Sequence, residues 1–232
     1  VKVRIQFEKL GAIRFTSHKD VVRVFERAFA AGGVPVAWSE GFHPHMRLSF
    51  GPPCKTGWES HGEYMDVQLE APMDDMAAAC NEKLPDGLRV TRVVAIDDRA
   101  PKLATDISAV ALTATVRSDD AIAAGAPANG SGPDAAAIRA VIATRFLQTP
   151  NTEGEPRVLE ADVVQTEDSL RIHYTTSMFN GRIVPPDDIV SVSIGDPTRF
   201  RVPVKVVRNA QFVERDGKRF SPLDEGVVQA SS

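Results

Sequence analysis

Cysteine is scarce in this chain, with only Cys54 and Cys80 among 232 residues. The two form no CxxC pair, and no histidine lies at zinc-finger spacing from them. Nothing in that pattern asks for a disulfide, so free thiols in a reducing cytoplasm are expected. A cysteine trio able to ligate an iron–sulfur cluster is also missing. So are a P-loop, a Rossmann glycine fingerprint and a G-x-S-x-G elbow. ATP hydrolysis, hydride transfer on a Rossmann domain and radical initiation by this chain are therefore not expected, and no cofactor is implied. No apolar run approaches bilayer length, and no signal-like segment opens the sequence, so no membrane partner is expected. The chain begins in a strand without Met, as a trimmed chain or a piece of a longer reading frame would.

What is present is an ordinary globular composition, 43% hydrophobic and 25% charged, with a formal net charge of −4. The distribution of charge says more than its sum. Up to Trp58 the cations Lys2, Arg4, Lys9, Arg14, Lys19, Arg23, Arg27, Arg47 and Lys55 face only Glu8, Asp20, Glu26 and Glu40. A local basic footprint on an acidic body suits a confined anionic partner.

Hydrophobic periodicity orders the chain. Val1, Val3, Ile5 and Phe7 alternate with polar residues, the pattern of a half-buried strand. Ser17 and Asp20 have the spacing of a capping box, and Val21, Val24, Phe25, Ala28 and Phe29 follow at helical spacing up to Gly32-Gly33. Short extended pieces at 34–38 and 46–50, a strand at 63–69, a helix at 74–84 and a strand at 88–96 complete the first unit. After a polar connector the order repeats. A strand starts at Ile107, a helix follows Asp134, a hairpin spans 157–165 and 169–177, and a helix begins at Pro185-Pro186. The last strand is read at 201–207, and the Ala-, Gly- and Asp-rich stretch 118–133 as a mobile loop.

Each half thus reads β-α-β-β-α-β, the split βαβ pattern. The expected class is α+β, with duplicated ferredoxin-like units and antiparallel sheets over residues 1–98 and 106–213. Residues 214–232 are expected to be a disordered tail. Helices would cover one face of each sheet. The opposite face, bearing Lys2, Arg4 and Gln6 in one unit and Arg201 and Lys205 in the other, would be left for a partner.

Residues 38–58 are dense in side chains that hold nucleic acid. Aromatic rings stack on unpaired bases, and Arg or Lys neutralise phosphates. Trp38, Phe42, His45, Arg47 and Lys55, joined by Arg4, Arg14, Phe15 and His18, form the candidate RNA-contacting set. Taken singly, Trp38, Phe42 and Phe50 are each expected in the core. His43 and His45, with His18 or His61, raise a metal reading, but a lone H-x-H is a weak signal and no metal is expected. His18 is the candidate general acid or base if the chain has catalysis.

The runs Ile13-Arg14-Phe15-Thr16-Ser17-His18-Lys19-Asp20, Trp38-Ser39-Glu40-Gly41-Phe42-His43-Pro44-His45, Leu48-Ser49-Phe50-Gly51-Pro52-Pro53 and Glu63-Tyr64-Met65-Asp66 carry a resemblance. The first 96 residues resemble the radical-SAM-associated domain of unknown function, found fused to or beside cobalamin-binding radical SAM proteins. The resemblance implies a radical SAM partner and no assigned catalysis. The expected function is an accessory protein that binds RNA and presents substrate to that partner. The alternatives are a metal-independent RNA-processing or RNA-modifying enzyme using His18, and a protein-interaction module without RNA contact.

Overall fold

The computed structural model describes residues 1–129, 132–148, 152–195 and 203–224. In chain order the elements are β1 (Lys2–Lys9), α1 (His18–Ala31), β2 (Leu48–Phe50), β3 (Glu59–Gln68), α2 (Met76–Lys83), β4 (Leu88–Ile96) and α3 (Leu103–Asp106). There follow β5 (Ile107–Arg117), α4 (Ser118–Ala123), β6 (Ala128–Asn129), β7 (Gly132–Pro133) and α5 (Ala135–Ile142). The described chain ends with β8 (Val158–Gln165), β9 (Ser169–Ser177), α6 (Pro186–Ile194), β10 (Lys205–Arg215) and β11 (Lys218–Phe220). It is a mixed α and β protein whose described strands pair mostly antiparallel. Its contacts divide it into two compact units: Val1–Ile107 with Ala210–Ser232, and Ser108–Asn209.

In the first unit β1 lies between β4 and β3, and β2 joins the far side of β3 through Leu48↔Val67 and Phe50↔Met65. Alternation puts Val3, Ile5 and Phe7 on one face with Met65 and Val67, all buried. There they meet Val21, Phe25 and Phe29 from α1 and Met76 and Cys80 from α2. Phe7 and Phe25 pack edge-to-face with ring centroids 4.7 Å apart. Ser17 caps α1, its hydroxyl accepting from the Asp20 N–H, as the capping-box spacing requires. Burial of Cys80 among these side chains pushes its thiol pKa up to about 11.

The other face of this sheet departs from expectation. Leu103 of α3, Ile107 and Leu223 pack over Tyr64 and the partly buried Val94. Residues 221–224 are thus part of the unit and not a loose tail. Tyr64 hydrogen-bonds Ser221, and burial raises its pKa despite that bond. Arg4, expected to face a partner, is 0% exposed. Its Nε and Nη2 donate to the two oxygens of Asp66 at 2.7 and 3.1 Å. Nη1 and Nη2 also donate to the carbonyls of Pro222 and Pro101. A planar guanidinium matches a carboxylate bidentately, and this one uses its donors internally. Arg4 is a structural residue.

In the second unit, which holds β10 only as far as Asn209, β9 lies between β5 and β8. Ile138, Ile142, Ile189 and Ile194 of α5 and α6 are buried, as are Leu112, Ile172 and Tyr174 of the strands. Asp134 caps α5 by accepting from the N–H groups of Ala136 and Ala137, and Gly195 ends α6 with φ of 73°.

Two further readings are corrected. Within the stretch read as a mobile loop lie α4 and the small β6–β7 ladder, tied by the Arg117–Asp120 ion pair and the buried Ala121. The last strand begins at Lys205 and runs to Arg215, where β11 turns back on it through Val213↔Phe220. Arg201 lies outside the described residues, and Lys205 is exposed.

Candidate functional site

The candidate residues separate into two groups, both in the first unit. One is a hairpin at residues 37–47. Trp38 bridges Met46, and the Ser39 N–H donates to the His45 carbonyl at 2.8 Å. The Ala37 N–H donates to the Gln68 carbonyl, and the Gln68 N–H to that of Arg47, which fixes the hairpin against the end of β3. At its tip Gly41 has φ of +115°, which L side chains rarely adopt. The turn lifts Phe42 clear of the protein: it is 100% exposed, and Trp38 is 53% exposed. The expectation that these two rings join the core is overturned. Phe50, the third, is partly buried against the helix-side core.

Beside the hairpin, on the uncovered part of the sheet face, lies an open hollow of about 320 Å³ lined by Lys2, Ser39, His45, Arg47, Ser49 and Gln68. Asp66 and Leu48 complete the lining. Ser49 is paired with Asp66 across β2 and β3, and Lys2 with Gln68 across β1 and β3, so strand register brings them together. Lys2 Nζ lies 3.3 Å from Asp66, whose charge Arg4 already balances. The exposed Arg47 guanidinium makes no hydrogen bond or ion pair among the described residues. His45 is held by Ser39, whose Oγ accepts from the His45 N–H at 3.1 Å and lies 2.8 Å from Nδ1. The same Nδ1 lies 3.5 Å from the His43 carbonyl.

The second group sits at the start of α1. The Arg14 guanidinium lies 4.4 Å over the ring of Phe15, which is 64% exposed. Arg14 also bonds Gly11 and Glu59, so it is partly committed to the fold. Lys55 lies 5.1 Å over the ring of Trp58. The His18 ring meets Phe50 edge-on at 5.1 Å and borders a narrow pocket with Lys9, Cys54, Glu63 and Tyr64. Partial burial lowers the His18 pKa; the charge of Glu63 opposes this and that of Lys9 adds to it. The pocket has room for about 10 Å³, near the minimum for one water.

Lys9 in that pocket, and Ser60, which bonds its Glu63, escaped the sequence reading. Lys9 is buried and donates to the Thr16 carbonyl at 3.2 Å. Ser60 donates to buried Glu63 at 2.6 Å, and Glu63 accepts from the Cys54 N–H at 3.2 Å. These bonds fasten the loop before β3 to the sheet. The signal for Lys9 was parity: it continues the inward series Val3, Ile5, Phe7. His18, His43, His45 and His61 are not gathered into a group of metal-binding side chains among the described residues. In the second unit a hollow of about 520 Å³ lies among Arg145, Phe146, Leu147, Arg157 and Val184, and it contains none of the candidate residues.

The fold and this site define an α+β protein with an uncommitted cationic hollow beside protruding aromatic rings. The chain belongs to the family described as "Uncharacterized protein conserved in bacteria (DUF2344)", a domain of unknown function whose model matches residues 2–148. No curated protein matches it. Among solved structures it is similar to one titled "Crystal Structure of an Unknown Protein from Galdieria sulphuraria". That similarity is at 12% identity, covers 89% of this chain and 97% of the other, and has a TM-score of 0.23. At that score it bears on neither fold nor function. No helix among the described residues is long and apolar enough to cross a membrane.

Proposed function

We propose that this protein is an accessory RNA-binding module, working alongside a cobalamin-dependent radical SAM partner, whose contact surface is the 37–47 hairpin and the hollow beside it. The observation that carries the RNA reading is the pairing of protruding rings with an unpaired cation. Phe42 gives up burial that would be worth about 1.5–3 kcal/mol and Trp38 part of as much, while the Arg47 guanidinium next to them bonds nothing among the described residues. Rings that stack and cations that meet phosphate are the two parts a single strand needs. The partnership rests on the motif resemblance of residues 13–20, 38–53 and 63–66. We read both units as ferredoxin-like, supported by the strand orders β4-β1-β3 with β2 beyond, and β10-β5-β9-β8.

Fluorescence anisotropy of labelled single-stranded RNA tests the proposal. Binding should weaken steeply as salt rises, and Arg47→Ala should reduce the slope of log K against log salt by about 1. Binding that ignores salt, or no binding to any RNA, contradicts it; the second result favours a protein-interaction module.

A second reading has one observation in its favour: a neutral, partly exposed His18 beside Lys9 and Glu63 is equipped for proton transfer at the surface. Labelled RNA incubated with wild type and His18→Ala decides it, because identical RNA integrity in both removes the enzyme.

A further inference from the structure

We infer that the hollow lined by Lys2, Arg47, Ser49 and Gln68 is a seat for a phosphomonoester dianion, the terminal phosphate of the strand proposed above. The inference deepens that reading and rests on it for the identity of the ligand, but the seat itself stands on separate observations.

The first is the balance of charge. Asp66 is the one carboxylate lining the hollow, and both its oxygens are occupied by Arg4, with Lys2 reaching Oδ2 as well. Arg4, Lys2 and Arg47 against the single charge of Asp66 leave a net surplus of two positive charges at the hollow, with Arg47 the one that touches no acid. A net surplus of two positive charges matches a dianion; an internal phosphodiester carries only one negative charge.

The second is the stock of idle donors. Besides the Arg47 guanidinium, the Ser49 hydroxyl and the Gln68 side-chain amide have no partner among the described residues. Arg47 brings a planar fork suited to two oxygens of one phosphate. His45, held by Ser39, adds a polar ring to the lining. These donors come from β2, β3 and the hairpin, whose backbones are hydrogen-bonded to one another, so their spacing is set before any ligand arrives.

The third is size. About 320 Å³ lies at the lower end of small-ligand pockets, room for one nucleotide end and not for a run of strand. Phe42, standing free at the hairpin tip, would then stack on a base near the seated end.

Amide spectra recorded at constant ionic strength test the seat without RNA. Methyl phosphate should shift the resonances of Arg47, Ser49 and Gln68, and dimethyl phosphate should bind about tenfold more weakly, as expected for the loss of a charge-assisted hydrogen bond. Arg47→Ala should abolish the preference while its thermal midpoint stays at the wild-type value. Equal responses to the two esters, no response to either, or an unchanged preference in the variant would overturn the seat. A parallel arm compares one oligonucleotide with phosphate at the 5′ end, at the 3′ end or at neither. About tenfold tighter binding of one phosphorylated form supports the full inference. RNA that binds equally in all three forms overturns the end-specific seat and leaves the RNA reading standing. Methyl phosphate that binds while no RNA does keeps the seat and overturns the RNA reading.

Discussion

Arg4 and Arg47 lie on the same face of one sheet, opposite α1 and α2 and two strands apart, and their fates are opposite. Around Arg4 the face is roofed by Leu103, Ile107 and Leu223, and the guanidinium is consumed by Asp66 and two proline carbonyls. Around Arg47 the face is open, and the guanidinium touches no acid. The sequence offers both as equivalent cations on a basic stretch. Their difference teaches that counting charge does not locate a binding surface. What locates it is charge left over after the fold has taken its share.

The largest effect that breaks or sharpens this contrast is on stability. Arg4→Met leaves Asp66 buried with one weaker partner, and removing one member of a buried pair costs about 3–5 kcal/mol. Arg47→Ala should stay within about 0.5 kcal/mol of wild type. Urea unfolding of the two variants measures both, and equal losses would erase the distinction. Next comes binding. Phe42→Ala should weaken single-stranded RNA by about 1–3 kcal/mol, the worth of one stacked base, with no change in the urea midpoint. Phe15→Ala, in the other group, should change affinity much less, and the reverse order would move the site to the start of α1.

The smallest effect concerns pH. His18 has a folded pKa below its ordinary value of about 6.5, so the unfolded chain binds the proton more readily. Its contribution to stability is therefore complete above about pH 6.5 and is lost as the pH falls below it. Proton NMR should place the His18 titration midpoint below 6.5. Stability of His18→Asn should fall less steeply on the acid side than wild type. A midpoint above 6.5 would show Glu63 outweighing burial.

Much of the first unit was legible in local pattern. Alternation in β1, the Ser17–Asp20 cap and the apolar stripe of α1 each depend on residues within a few positions, and they stand as read. So does α6, where prolines and acids at the first turn outweighed its β-branched body. The burial of Arg4 was not legible, because its partners lie 62, 97 and 218 positions away in sequence. Nor was the packing of Leu223, a single apolar residue in an aperiodic stretch. The candidate site was half legible. Residue types marked the 38–58 region, but only register showed that Lys2, Arg47, Ser49 and Gln68 share a hollow. Exposure of Phe42 follows from the hairpin turn at Gly41, which composition alone does not reveal.

The most direct test of the central claim is photocrosslinking of 4-thiouridine RNA to the protein, followed by peptide mapping. Crosslinks within residues 37–49, with Phe42 foremost, are the predicted result. Crosslinks confined to residues 11–18 and 54–59, or spread over both units alike, would contradict it.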